Sequence, residues 1–199
     1  MSLPRQKSPT VLRSDRIPPG QYQTDKFPVL SLTAPPPFDP RTWRLTVSGL
    51  VEKPVSWSWD ELLQLPAVEL DADFHCVTRW SRLDNVWTGI LATTIRELVQ
   101  PRPEATHVLQ HGMEGYTTNL TVADFFTADV MLAYKHDGAF LPPEHGAPLR
   151  VITPQLYAWK GAKFLTGLEF LAQDQIGYWE ARGYHNHGDP WSEERFWEE

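Results

Sequence analysis

Apolar and polar positions alternate over short runs along most of the chain, the period of half-buried strands rather than of long helices. In TWRLTVSGLVEKPVSW, Trp43, Leu45 and Val47 share one face and Arg44 and Thr46 the other; a glycine-containing turn then leads to a second short β run, which predicts a hairpin. SWDELLQLP predicts a short helix, with Ser58 as its cap, acids in the first turn and Pro66 just past its end. VELDADFHCV returns to strand and places Cys76 where that strand enters a loop. WTGILATTIRELVQ predicts a helix from about Ala92, with Ile95, Leu98 and Val99 at helical spacing and Pro101 ending it. HVLQHG reads as a strand, and GYTTNLTVADFF as a strand followed by a helix starting at Thr121 or Asp124. DVMLAYKHDGAFL predicts a hairpin turning at Asp137-Gly138, and PLRVITPQ and KFLTGLEFL predict two further β segments. Short strands interleaved with a few short helices, without regular βαβ units, predict an α+β fold built on mixed sheet.

Residues 1–40 break this pattern, because PRQKSP, RIPPGQ and TAPPPFDP scatter proline at spacings that forbid a helix. Phe27, Val29, Leu30 and Leu32 nevertheless gain by burial. The expected organisation is a loose tail over residues 1–15 and a single domain over 16–199, across which the rest of the arm lies.

The length of 199 residues suits one domain with a substantial core. Eighteen prolines, twelve glycines and nine tryptophans describe a compact, loop-rich protein rather than a helical bundle. A net charge of −7 argues against a nucleic-acid binder, whose affinity comes from clustered Lys and Arg. No run approaches the ~18 apolar residues that cross a bilayer, and the start shows no apolar core of a signal peptide. The expected location is cytoplasmic.

Chemistry concentrates in two stretches. FHCVTRWSRLDNVW holds the single cysteine, so no intramolecular disulfide forms. A lone thiol is commonly a small buried hydrophobe, but His75, Arg79 and Arg82 favour thiolate, the form that attacks electrophiles or binds soft metals. Strand alternation turns His75 and Cys76 to opposite faces, so a cysteine hydrolase needs a histidine from elsewhere. His185 and His187 could share one face of an extended segment, but two ligands do not make a site, and a polar loop is the simpler reading. In EHGAPLRVITPQLYAWKGAKFL, Arg150 leads a strand, and Lys160 and Lys163 flank Gly161-Ala162; such a turn can bring backbone N–H groups and two ammonium ions onto one phosphate, or be a solvated hairpin tip. No Walker loop, GxGxxG, GxSxG or HExxH pattern occurs.

FHCVTRWSRLDNVWTGI resembles the cysteine segment of the sulfite oxidase-type molybdopterin-dependent oxidoreductases, HGAPLRVITPQLYAWKGAKFL resembles their pterin phosphate segment, and GYWEARGYHNHGDPW resembles the closing segment of the smaller bacterial members. The resemblance runs from about Arg16 to the C-terminus and covers only the catalytic core, without a dimerisation or haem-binding domain. It implies that Cys76 ligates molybdenum, that His145 and Arg150 contact the pterin or its phosphate, and that Lys160, Gly161, Ala162 and Lys163 form the phosphate turn. By the same resemblance, His111 falls near a cofactor contact, and the arm around Phe27-Pro28-Val29 covers the cofactor. The implied cofactors are molybdenum and molybdopterin, and the implied reaction is oxygen-atom transfer on a small oxo substrate, as in sulfite oxidation or sulfoxide reduction. An electron-transfer partner of unknown identity follows. Arg79 either binds a substrate oxyanion or packs on Trp80 or Trp87. A non-catalytic molybdopterin-binding module of the same fold, or a cysteine nucleophile enzyme, are the alternatives.

Overall fold

The computed structural model describes residues 3–197. Its twelve strands form two mixed sheets. The first contains β1 (Arg5–Lys7), β2 (Tyr22–Gln23), β5 (Val68–His75), β6 (Trp80–Leu91), β9 (Met131–His136), β10 (Ala139–Phe140) and β11 (Arg150–Ile152). The second runs β4 (Val55–Ser58), β3 (Arg44–Gly49), β12 (Leu165–Leu171), β7 (His107–Gly112) and β8 (Thr117–Thr121) in spatial order. Three short α-helices join them: α1 (Trp59–Leu62), α2 (Ala92–Val99) and α3 (Val122–Phe125).

The local signals act as read. Strands β3 and β4 pair antiparallel with Leu45 opposite Trp57, and the inward Leu45 and Val47 are fully buried. Ser58 caps α1 in a reciprocal box with Glu61. Helix α2 starts at Ala92 and ends at Val99, and Gln100 takes the left-handed conformation before Pro101. The turn joining β9 to β10 has Asp137 at φ 48° and Gly138 at φ 83°, the positive pair that a two-residue hairpin requires.

The amino-terminal tail is not loose. Strand β1 pairs parallel with β5, and Arg5 donates to Asp71 at 2.6 Å. Ser8 is buried and donates through its hydroxyl to Asp129 Oδ2 at 2.6 Å. The tail thus covers what is otherwise an open sheet edge, and that satisfaction of backbone groups favours order. Strand β6, the longest, also departs from the sequence pattern, because Asp84 and Asn85 interrupt its apolar alternation. Asn85 is nonetheless buried, and its amide donates to the carbonyls of Ala72 and Arg82.

Two apolar clusters result. The larger fills the region around β3, β7, β12 and α2; the smaller gathers Phe74, Cys76, Trp80, Trp87, Met131 and Ile152, with Phe27 of the arm packed against it. The functional cavity opens beside this smaller cluster.

Candidate functional site

Strand β5 ends at His75, and the chain reverses through residues 76–79 into β6, with the Cys76 amide donating to the Trp80 carbonyl at 2.9 Å. Arg79 closes this turn at φ 75°. Alternation separates the neighbours as expected: His75 turns into the protein, bonds Ser81 through Nδ1 at 2.8 Å and meets the Trp191 ring, while Cys76 faces a cavity of about 540 Å³. Two distant segments hold the turn from behind. Gln21 donates to the Cys76 carbonyl at 3.0 Å, and the buried Arg195 donates to the Val77 carbonyl at 2.7 Å.

The arm over residues 27–33, the Cys76 turn, the β7–β8 connection and residues 158–164 and 178–184 wall the cavity. Phe27 stacks on His145 at 4.2 Å with 9° between the planes. Cys76, His145, Arg150, Gly161 and Lys163 all line it. The Cys76 Sγ lies 3.2 Å from the Thr78 hydroxyl. Burial pushes the thiol up, while Thr78, Lys163 and Arg150 pull it the other way. Burial also lowers the guanidinium of Arg150 to about 10 and, helped by Arg150, the ammonium of Lys163 to about 8.

Four expected site residues lie elsewhere. Lys160 turns into the core, where its Nζ donates to Glu180 Oε1 at 2.7 Å, Asn119 Oδ1 at 2.8 Å and the Asn186 carbonyl at 2.7 Å, so it has no donor left for a phosphate. The Ala162 amide is spent on Gln110 Oε1 at 2.8 Å, and its carbonyl accepts from Val151. His111 projects from β7 to Glu169 on β12 at 3.0 Å, away from the cavity. Arg79 is exposed and points toward Gly20, where a methyl group would sit 3.1 Å from its Nη1. It neither lines the cavity nor stacks on Trp80 or Trp87. Gly161 is required by a close approach, since a Cβ there would meet the Val151 carbonyl at 2.2 Å.

Several residues of the site carry no motif. Gln110 clamps the turn at 160–162 by donating to the Lys160 carbonyl and accepting from Ala162; it is buried, but in HVLQHG nothing in the sequence sets it apart from His107 and His111. Trp159, Tyr116, Tyr178, Trp179 and Tyr184 add an aromatic wall to the cavity. Behind Phe27, His136 contacts Arg82, Asn85 and the Trp87 ring.

Burial lowers the His136 imidazole to about 4, so the fold takes it neutral. Its contribution to stability is full above the unfolded value near 6.5 and is lost as pH falls through that value toward 4. His136→Gln is expected to flatten the loss of urea stability between pH 7 and 4.5 by about 1–3 kcal/mol, measured as the change in unfolding free energy.

The oxidoreductase molybdopterin-binding domain model matches residues 32–179. The chain belongs to this oxidoreductase molybdopterin-binding family. It is 46% identical over 185 residues to the uncharacterized oxidoreductase YuiH of Bacillus subtilis, covering 92% of this chain and 93% of that one. It is 30% identical over 171 residues to a putative protein-methionine-sulfoxide reductase subunit, YedZ1, of Azospira oryzae, covering 80% of this chain but 65% of that protein. The crystal structure of the sulfane dehydrogenase SoxCD from Paracoccus pantotrophus superposes with a TM-score of 0.64 at 20% identity, over 70% of this chain and 40% of that one, and so shares the fold. The mixed-sheet, sulfite oxidase-type architecture expected from the sequence is the observed one.

The residues present fit the cofactor of the molybdopterin-binding family. The cavity offers one thiol able to become a soft thiolate donor, and its volume suits an organic cofactor. Arg150 Nε, Trp80 Nε1 and Trp159 Nε1, all on residues of the wall, are buried without a hydrogen-bond partner among the described residues. Such donors await acceptors, and an anionic pterin phosphate or dithiolene supplies them.

Among the described residues no helix is long and apolar enough to cross a membrane.

Proposed function

We propose that the protein catalyses oxygen-atom transfer to or from a small sulfur-containing substrate, with Cys76 as the protein ligand to molybdenum. The observation that supports it is the convergence of the only thiol with Arg150, Lys163 and His145 on one cavity, drawn from segments about seventy residues or more apart in sequence.

When bound, the molybdenum supplies a two-electron centre that exchanges an oxygen atom with a sulfur lone pair. The chain provides its surroundings. Cys76 gives up its proton to become a thiolate ligand, since coordination by a cation reverses the effect of burial on a thiol. Thr78 is placed to donate to that sulfur, an outer contact that fixes ligand orientation. Arg150 and Lys163 offset the anionic charge of the cofactor. The aromatic wall and the arm exclude water and leave room for an apolar sulfur substrate.

Arg79, His111, Lys160 and Ala162 have no part in this proposal. The sulfoxide reductase name carried by YedZ1 favours a sulfur oxo substrate, and parallel dye-linked assays of sulfite oxidation and sulfoxide reduction decide the direction. Turnover in neither, with no molybdenum in the purified protein by elemental analysis, overturns the proposal. The single free thiol suits the reducing cytoplasm, and cell fractionation checks that location.

Lys163 separates cofactor binding from folding. Its Nζ donates to the Leu30 carbonyl at 2.7 Å and Ser31 Oγ at 3.0 Å, both on the arm, and to the Glu144 carbonyl at 3.0 Å; unlike the bonds of the buried Lys160, these are exposed and belong to a side chain that lines the cavity, where a bound anion can take the place of one of them. Lys163→Met is expected to lower cofactor occupancy by roughly ten-fold or more, because a charge-assisted hydrogen bond contributes roughly 1.5–3 kcal/mol. Pterin fluorescence after acid release reads the occupancy, and the melting temperature of the cofactor-free protein should fall only slightly, because the three bonds lost are exposed to water.

A further inference from the structure

We infer that residues 29–34 form a flap on the cavity, held closed by a single latch, Lys163, and released when an anion entering the cavity claims that lysine. Such gating depends on the cavity and its lysine, and not on the reaction proposed above.

The flap has stiff ends. In FPVLSLTAPPPF, Pro28 precedes it and Pro35, Pro36 and Pro37 follow it. Each proline fixes its own φ and holds the residue before it extended. Beyond the prolines, aromatic rings anchor both ends. Phe27 packs among Phe74, Trp80, Trp87, His136 and His145 at 4.2–6.0 Å between ring centroids, and Phe38 meets Trp59 at 5.4 Å and Trp43 at 6.4 Å. Little holds the chain between these anchors. Among the described residues, no backbone N–H or carbonyl of residues 27–38 pairs with another backbone group, and Val29, Leu30 and Leu32 stay about half exposed. The hydrogen bonds that reach this span, again among the described residues, all come from Lys163 Nζ, to the Leu30 carbonyl and to Ser31 Oγ. A segment without backbone pairing and with few buried apolar contacts opens at low cost. Tied at both ends, it swings as a flap rather than unravelling.

The latch belongs to the cavity as well as to the flap. Leu30, Ser31, Leu32 and Thr33 line the cavity together with Lys163, Arg150 and Cys76. Lys163 gives its remaining hydrogen to the Glu144 carbonyl at 3.0 Å, so the ammonium has its three donors in use. All of these acceptors are neutral: two carbonyls and a hydroxyl. A hydrogen bond to an anion is shorter and roughly twice as strong as one to a neutral acceptor, so an anion in the cavity outbids the flap. Lys160 shows the opposite design, since its ammonium is fully buried and already holds the Glu180 carboxylate. One lysine is fixed, and the other is free to change partners. Closed, the flap shields the Cys76 thiol, which is 7% exposed. Open, it admits the anionic group that the cavity takes.

The thiol is a built-in reporter of the flap. In the full-length, cofactor-free protein, alkylation of Cys76 by iodoacetamide, followed by mass spectrometry, reads how often the cavity opens. Lys163→Met is expected to speed alkylation roughly three- to ten-fold and Ser31→Ala roughly two-fold, because the open population rises as hydrogen bonds of the closed state are lost. The sign separates a latch from a charge effect. Lys163 favours thiolate at Cys76, so a lysine acting through charge alone would slow alkylation when removed. Ser31→Ala leaves the charge untouched, and alkylation no faster in either variant overturns the latch. Chymotrypsin reads the flap itself, at the bonds after Leu30 and Leu32. Inorganic pyrophosphate is expected to speed those cuts roughly three-fold or more in the wild-type protein, and to leave those of Lys163→Met within roughly two-fold, since that variant has no latch to release. Unchanged or slower cutting of the wild-type protein with pyrophosphate, or equal acceleration in both proteins, overturns release by an anion. A protein that shows both responses and no turnover keeps its flap and loses only the proposed function.

Discussion

Cys76→Ser is expected to yield a folded protein that retains almost no molybdenum and loses dye-linked turnover by more than the ~10–100-fold typical of removing an outer-shell partner of a metal ligand. The physical reason is the mismatch of donor and metal. A hydroxyl remains protonated where a thiol does not, and it is a harder donor than a centre bound through sulfur prefers. The fold has little stake in the atom. The turn at 76–79 is held by the Cys76 amide and carbonyl, by Gln21 and by Arg195, none of which is altered by exchanging sulfur for oxygen. Melting of the cofactor-free protein should therefore change little, while the molybdenum-to-protein ratio by plasma mass spectrometry collapses. Retained molybdenum with retained turnover would assign the metal to some other donor. A large drop in the melting temperature of the cofactor-free variant would instead make the thiol a packing group of the smaller apolar cluster.

What the sequence revealed of this site follows from where its determinants lie. Strand ends, caps and the Asp137-Gly138 turn are local, and they were legible because a few adjacent residues decide them. Cys76, Arg150 and Lys163 could be named from short motifs, since the chemistry requires a soft donor and cations. Lys160 could not be separated from Lys163, because both flank one glycine-containing turn and only the tertiary environment says which way each points. The deciding partner, Glu180, lies twenty residues away in the closing segment, where nothing in the sequence pairs it with one lysine rather than the other. The ordered tail escaped for a similar reason. Its proline-rich composition forbids a helix but permits an edge strand, and only the exposed edge of β5 gives that strand a partner. Gln110 shows the limit from the other side: its polar obligation comes from burial, which nothing in HVLQHG indicates.

Lys160→Met is expected to cost about 3–5 kcal/mol, the range for breaking a buried ion pair from one side. Both side chains of the Lys160–Glu180 pair are fully buried, at 2.7 Å. Lys160 meets Glu180, Asn119 and the Asn186 carbonyl, and Glu180 also accepts from Thr118 at 2.7 Å. Burial presses the ammonium down while Glu180, with Asp174 and Asp124 farther off, resists. Methionine leaves the Glu180 carboxylate buried with one hydroxyl donor, so it must take up a proton or open the structure to water. A protein of this size should lose roughly 2–4 °C of melting temperature per kcal/mol, and calorimetry or thermal circular dichroism reads the fall directly. Adding Glu180→Gln is expected to restore most of the loss, since it removes the stranded charge and keeps an acceptor for Thr118. No recovery in the double variant would mean that Lys160 acts through its bonds to Asn119 and Asn186 rather than through charge. The pair ties residue 160, between the cavity residues Trp159 and Gly161, to residue 180, just beyond Tyr178 and Trp179. Loosening it should therefore lower cofactor occupancy together with melting temperature, whereas Lys163→Met, which gives up only exposed bonds, lowers occupancy with little change in melting temperature. Comparing the two variants separates a lysine that contacts the cofactor from one that builds the wall around it.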